Sequence, residues 1–262
     1  MDYAEKIRKA IEWIVGSNRL VIFTGAGVST ESGLPDYRGP HGVWTRRDKG
    51  LAPPKSKNMD EVHPNRTHYS LVELLGLGKL NFLISQNVDN LHLASGIPPD
   101  MIAELHGNHA LMKCMDCDHR LSFSKAGWDK GTWGQGYRTQ KSRLGQPQCP
   151  RCSGRLISSV VNFGDPMPEK EISISMERSR TCDVFIVIGS SLVVSPAANM
   201  PALALENGAK LIIINQGETP YDHLAELRFW ENAGSVMEDI VNGLKRIVQQ
   251  KSKSYNVNRA NK

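Results

Sequence analysis

Long apolar runs are missing from this chain. The longest lie around Val184 to Ile188, far short of the roughly 20 residues that a membrane helix needs. No membrane anchor is visible. The first residues, Met1-Asp2-Tyr3-Ala4-Glu5-Lys6, offer neither an apolar signal core nor a small-residue cleavage site. An intracellular protein is therefore expected, cytoplasmic first, with the nucleus left open because no clear import run decides it. Cysteine is scarce as well. Of 5 cysteines, four fall in two Cys-x-x-Cys pairs, Cys114/Cys117 and Cys149/Cys152, separated by 31 residues. In a reducing compartment that pattern argues against a disulfide framework and for metal binding. The fifth, Cys182, precedes an apolar run and is expected to behave as a small buried hydrophobe. Nor does one sign of charge dominate. A net charge of +5 is too diffuse to demonstrate nucleic-acid binding, and part of it sits in a polar tail, residues 251–262, that lacks apolar period and is expected to be disordered.

What is present is an ordinary globular composition: 262 residues, 40% hydrophobic and 23% charged, enough for one good-sized core plus a small satellite. A first helix is expected from about Ala4 to Val15, where Ile7, Ile11, Trp13 and Ile14 recur at roughly helical spacing. The run Arg19 to Thr24 reads as a strand that feeds a glycine turn, and Phe82–Ser85, Val184–Ile188 and Leu211–Ile214 read as further buried strands. Helices fit around Thr67 to Leu75, Ala197 to Glu206 and Ser235 to Val248. Buried strands that each end at a polar or glycine motif imply an α/β fold with an open, mostly parallel sheet, whose ligand crevice lies at the carboxyl ends of the strands. The stretch from Thr45 to Asn65 shows no period and reads as a long loop. From Cys114 to Arg155 the chain is rich in glycine and basic residues with little apolar periodicity, and reads as a lobe stabilised by metal rather than by a core.

The chemistry-bearing groups cluster at the strand ends. Gly25-Ala26-Gly27 would let backbone N–H groups approach a pyrophosphate, yet Thr30 stands where a dinucleotide fingerprint has its third glycine, and such a turn is often only a tight connection. Asp36, Tyr37 and Arg38 could offer an acceptor, a stacking ring and a phosphate partner, or merely a surface ion pair. Gln86-Asn87-Val88-Asp89 could bind nucleoside hydroxyls and a carboxamide, or cap the next helix. His106, before Gly107, is a candidate general base among 8 histidines, although a lone histidine is more often structural. Val161-Asn162-Phe163-Gly164-Asp165 could present a strand edge to an extended peptide. Gly189-Ser190-Ser191 and Asn215 suit phosphate or ribose contact. Four thiolates supplied as two pairs, Cys114, Cys117, Cys149 and Cys152, satisfy a tetrahedral Zn2+.

Taken in order, these motifs resemble the sirtuins, NAD-dependent protein lysine deacylases, from about Ala4 to Val248. Gly39-Pro40-His41-Gly42-Val43-Trp44, Ser85 to Asp89 and Ala103 to Asn108 look most like the branch of animal sirtuins six and seven. The resemblance implies a Rossmann-like domain made of residues 1–112 and 157–250, with a small zinc-binding domain, 113–156, inserted between them. It implies NAD+ as co-substrate, structural Zn2+, and acyl-lysine proteins or peptides as partners. Gly25, Ala26, Gly27, Thr30, Asp36, Tyr37, Arg38 and Trp44 would line the NAD+ site, with Gln86 and Val88 around the nicotinamide ribose. Gly189, Ser190, Ser191, Asn215 and Ala233 would hold the adenosine half. His106, Asn87 and Asp89 would be catalytic, with His106 the general base, and Val161, Phe163 and Gly164 would contact the peptide. The products would be deacylated lysine, nicotinamide and O-acyl-ADP-ribose. Zinc would take no chemical part, because four thiolates leave no open position for water. Two departures bear on substrate preference: Tyr37 stands where phenylalanine is usual, and Asp165 replaces a common glutamate.

Two other readings use the same residues. Mono-ADP-ribosyl transfer to protein would need the same NAD+ site with another acceptor. A non-enzymatic zinc ribbon could bind nucleic acid through the basic lobe of Lys113, Arg120, Lys125, Lys130, Arg138, Lys141, Arg143, Arg151 and Arg155.

Overall fold

The computed structural model describes residues 1–260; Asn261 and Lys262, the end of the expected tail, lie outside the described residues. Six parallel strands form the main sheet: β1 (Leu20–Thr24), β2 (Leu80–Ser85), β3 (Ile102–Glu104), β7 (Val184–Ile188), β8 (Lys210–Ile214) and β9 (Leu227–Phe229), in the order β3-β2-β1-β7-β8-β9. Strands buried on both faces explain the unbroken apolar runs in sequence. Alternate residues serve opposite layers. Leu20, Ile22, Ile186 and Ile212 face a core shared with α1 (Tyr3–Gly16), α3 (Arg66–Gly76) and α8 (Ala233–Ala260). Val21, Phe23, Phe185 and Ile213 face another, closed by α6 (Glu169–Thr181) and α7 (Met200–Glu206).

Between β3 and α6 the chain leaves this sheet to form an antiparallel sheet of its own. Strands β4 (Leu111–Cys114), β5 (Arg120–Ser122) and β6 (Leu156–Ser158) lie in the order β5-β4-β6. This satellite carries a core, contrary to the expectation that metal alone would stabilise it: Met112, Leu121, Ala126, Trp128 and Leu156 are buried together with Cys114 and Cys149. Trp128 also donates from Nε1 to the Gly134 carbonyl at 2.9 Å. That core is assembled from short strands and turns, so it leaves no periodic trace in the sequence.

Smaller differences follow from short elements. Helix α2 (Val43–Asp48) and a 3-10 turn at Met59–Glu61 break up the stretch expected to be loop. Two short helices, α4 (Leu91–Ser95) and α5 (Lys130–Trp133), follow β2 and β5. Helix α8 extends to Ala260 and passes through much of the segment expected to be disordered. Cys182 is buried, as expected, with its Sγ donating to the Ser179 carbonyl. Among the described residues, no helix is long and apolar enough to cross a membrane.

One buried polar contact ties three elements together. His92 of α4 bonds Thr24 Oγ1 at the end of β1 at 2.9 Å, and its ring stands 4.9 Å from that of His68 in α3. His68 Nδ1 accepts from the backbone N–H of Asn65, the residue that caps α3. Burial holds both imidazoles well below the ordinary histidine range, with His92 lowered to about 4 and His68 further opposed by His92. Both are therefore neutral in the fold, whereas the unfolded chain takes up their protons near pH 6.5, so stability present above that pH is lost as the pH falls toward 4. Urea unfolding should show a constant free energy above neutrality and a fall by pH 5 of about 2 kcal/mol per histidine. His92→Gln should flatten that slope; an unchanged slope would assign it to other groups.

Candidate active site and metal centre

The sheet reverses its winding direction at β1, whose neighbours are β2 on one side and β7 on the other, which places a crevice beyond the carboxyl ends of these strands. Each strand end contributes one motif. After β1 the turn Gly25-Ala26-Gly27 packs directly on the turn after β7: Gly25 N–H donates to the Ile188 carbonyl at 3.0 Å and Gly27 N–H to the Gly189 carbonyl at 2.8 Å. A Cβ on Gly27 would lie 2.7 Å from Gly189 Cα. Close backbone approach explains these glycines without invoking a third glycine. Thr30 is exposed and donates back to the Gly27 carbonyl.

The polar groups after β2 converge on the same turns. Ser29 Oγ donates to Asp89 Oδ2 at 2.6 Å, Asn87 Nδ2 donates to Ser29 Oγ at 3.3 Å, and Ser190 Oγ donates to Gln86 Oε1 at 2.7 Å. Asn87 and Asp89 are thus joined through Ser29, and Gln86 is tied to Ser190 beside them. Asp89 also accepts from the N–H of Leu91 at the start of α4, so it caps that helix while it holds Ser29. Val88 uses its carbonyl to accept from His109.

His106 follows β3. Its Nδ1 lies 2.9 Å from the Gln86 carbonyl, an acceptor only, so Nδ1 carries the proton and Nε2 keeps a free lone pair. Burial lowers its pKa below the ordinary value, while the Gln86 carbonyl works in the opposite direction. The result is a neutral imidazole at physiological pH, suited to accept a proton. Gly107 adopts φ +76°, and a Cβ there would collide with the Ser159 carbonyl, so glycine is required for the turn to sit against the satellite lobe.

The remaining candidates form two groups. Tyr37, Arg38, Trp44 and Phe163 make an aromatic wall: the Trp44 ring lies 5.0 Å from Tyr37 and 6.1 Å from Phe163, with the Arg38 guanidinium 4.7 Å away. Asp36 Oδ1 accepts from Gly39 N–H and steadies that loop. Phe163 is 87% exposed. The segment expected as a strand edge is a turn instead, because Asp165 accepts from the N–H of Asn162; Val161 N–H nevertheless donates to the His106 carbonyl at 2.9 Å, and Gly164 is exposed. At the other end, Asn215 follows β8 and is held by Gly217 and by Arg228, which donates to its carbonyl. Ser191 follows β7 in the same turn as Ser190, and Ala233 opens α8.

Two further residues build this site, Ser29 and Asn65. Ser29 lay inside the glycine motif with no partner in view. Asn65 ties the glycine turn to α3 by donating to the Val28 carbonyl and to Ser32 Oγ while it caps the helix; an asparagine just before a helix was the available signal.

The four paired cysteines bring their sulfurs within 4.8 Å of one another. Neighbouring Sγ atoms stand 3.3, 3.5 and 3.7 Å apart, close to the about 3.8 Å edge of a tetrahedron with Zn–S bonds of about 2.3 Å. The two knuckles match in backbone form, since Asp118 and Ser153, each one residue past its second cysteine, both have φ near +60° at 56° and 59°. A soft S4 donor set of this size fits zinc.

Comparison with known proteins shows the family. A family model described as the Sir2 family matches residues 52–196. The NAD-dependent protein deacetylase of Thermodesulfovibrio yellowstonii is 37% identical over 262 aligned residues, covering 94% of this chain and 98% of that protein. The NAD-dependent protein deacylase 2 of Archaeoglobus fulgidus is 34% identical, covering 94% and 99%. The structure of Sir2Af2 bound to a myristoylated histone peptide superposes with a TM-score of 0.66 at 32% identity, covering 94% and 99%.

Removing one thiolate tests the metal centre. Cys152→Ser should weaken Zn2+ retention at least about tenfold, or about 1.4 kcal/mol, as measured by competition with a chromophoric chelator; equal retention would place the metal elsewhere.

Proposed function

Because the chain belongs to the Sir2 family, we propose that it is an NAD-dependent protein lysine deacetylase or deacylase that acts on acyl-lysine in proteins or peptides. The observation that carries this reading is the orientation of His106, whose Nδ1 is committed to the Gln86 carbonyl while Nε2 stays available as a base. Bound NAD+ supplies an electrophilic ribose carbon with nicotinamide as its leaving group. The donor set fits such a molecule: amide, carboxylate and hydroxyl groups from Gln86, Asn87, Asp89 and Ser190 meet a turn whose backbone is bare of side chains.

The residues divide the work. Gly25, Ala26, Gly27 and Thr30 line the pyrophosphate side, while Gly189, Ser190, Ser191, Asn215 and Ala233 take the adenosine half. Asp36, Tyr37, Arg38 and Trp44 form the wall over the nicotinamide side, and Gln86 and Val88 flank its ribose. Asn87 and Asp89, fixed to each other through Ser29, orient the reacting groups. His106 accepts a proton from a hydroxyl in the crevice at Nε2. Val161, Phe163 and Gly164 receive the peptide beside His106, whose carbonyl accepts from Val161 N–H. Residues 113–156 act as the zinc-binding domain that forms the second wall, and residues 1–112 and 157–250 act as the NAD+-binding domain. Likeness to the branch of animal sirtuins six and seven rests on the motifs at Gly39–Trp44, Ser85–Asp89 and Ala103–Asn108. Thiolates kept free for metal suit a reducing, intracellular compartment.

Incubation with NAD+ and acetyl, succinyl and long-chain acyl peptides should yield deacylated peptide, nicotinamide and O-acyl-ADP-ribose by mass spectrometry. His106→Ala should lower turnover by about 10²–10⁴-fold while NAD+ affinity persists, and the wild-type rate should fall as pH drops through a pKa below 6.5, because protonation removes the base. Turnover retained in His106→Ala would sink this assignment.

A further inference from the structure

Glu104 is a buried carboxylate that the proton transfer at His106 does not use. It ends β3, is 4% exposed, and stands two residues before His106. Its Oε1 accepts from Asn108 Nδ2 at 2.7 Å, so the residues on either side of His106 are joined by their side chains. Asn108 is fully buried and anchored in turn: it donates to Asn90 Oδ1 at 2.9 Å, and its backbone N–H and carbonyl both bond Ser159 Oγ at the end of the satellite sheet. Gly107 N–H closes the turn on the Glu104 carbonyl. His106 therefore sits at the apex of a clamped turn.

The outer oxygen of Glu104 faces the other lobe. Arg120, at the start of β5, places Nη1 3.6 Å from Glu104 Oε2 and Nη2 2.7 Å from Glu171 Oε1 on α6. This is a direct ionic link from the satellite lobe to the end of β3, two residues before His106, and it reaches two elements of the main domain at once. We propose that Arg120 is a positioning residue, which transmits the seating of the zinc lobe to His106 through Glu104 and Asn108.

The electrostatics agree with that geometry. Burial pushes Glu104 up to about 7, Asn108 and Arg120 pull it down, and Glu171 and Asp89 push it up. Without Arg120 the carboxyl would lose the cation that pulls its pKa down, so more of it would hold its proton at neutral pH. The link across the lobes would then be gone. An arginine suits this place because its planar fork can serve two carboxylates together.

Only the activity arm of the test rests on the deacylase reading; the other arm uses the zinc-loaded, NAD-free protein. In Arg120→Gln the His106 imidazole, followed by NMR, should titrate higher than in wild type, because a loosened turn admits water. In turnover, kcat should fall about ten- to hundredfold, as expected for misplacement of a reacting group, with KM for NAD+ within twofold. If Arg120 acts through Glu104, the losses in Glu104→Gln and Arg120→Gln will not add in the double variant. Should Arg120→Gln fail to fold, Arg120→Lys, which keeps a cation without the fork, should show the same changes in weaker form. A lower melting temperature with the His106 titration unmoved, or fully additive losses, would reduce Arg120 to a structural clamp and overturn the proposal. If wild type releases no nicotinamide with any acyl peptide, the deacylase reading fails, while the NMR titration still decides the coupling.

Discussion

At the carboxyl ends of β1 and β7 two backbone turns lie so close that neither tolerates a side chain: a Cβ on Gly27 would stand 2.7 Å from Gly189 Cα, and one on Gly189 would stand 2.5 Å from Val28 N. Everything else in the crevice is arranged around this contact. It brings Ser29 within reach of Asp89 and Asn87, and Ser190 within reach of Gln86, so motifs separated by more than a hundred residues become one donor set. The same contact engages the Gly25 and Gly27 amides on the Ile188 and Gly189 carbonyls, which locks the two turns together. A parallel sheet supplies that proximity at its switch point, and glycine supplies the missing volume.

The strands that build this point were legible in sequence because burial on both faces leaves unbroken apolar runs, as in Val184–Ile188. Elements without that trace were not. The inward face of α6 carries Ser175 and Ser179, both fully buried, so its helix has no apolar period to find. Edge strands β3 and β9 are three residues each, too short for any pattern. The cysteine pairs announced their metal because ligand spacing is a local property, whereas the satellite core of Met112, Trp128 and Leu156 is brought together only by folding.

The site divides in the same way. His106 and the Gln86 to Asp89 run were visible as residue types, but the tautomer of His106 follows from a carbonyl 20 positions away in sequence. Arg120 looked like one more charge on a basic lobe. In the fold it is spent on Glu104 and Glu171, just as Lys113 is spent on Asp118 and Arg155 on the Arg138 and Gln140 carbonyls. Part of the lobe's positive charge is thus engaged within the protein, while Lys125, Lys130, Arg138, Lys141, Arg143 and Arg151 stay exposed.

The matched knuckles at Asp118 and Ser153 have a further consequence. With their sulfurs drawn together, the 31 residues from Asp118 to Gln148 form a loop pinched at its neck, and the entropy of closing such a loop rises only with the logarithm of its length, by about 0.6 kcal/mol per doubling. Residues can therefore be added or removed at its outer end at little thermodynamic cost, provided that Leu121, Ala126 and Trp128 keep their places in the satellite core. The lobe meets the main domain through Arg120 and Ser159, away from this tip, so the tip can diverge in size while His106 stays in register.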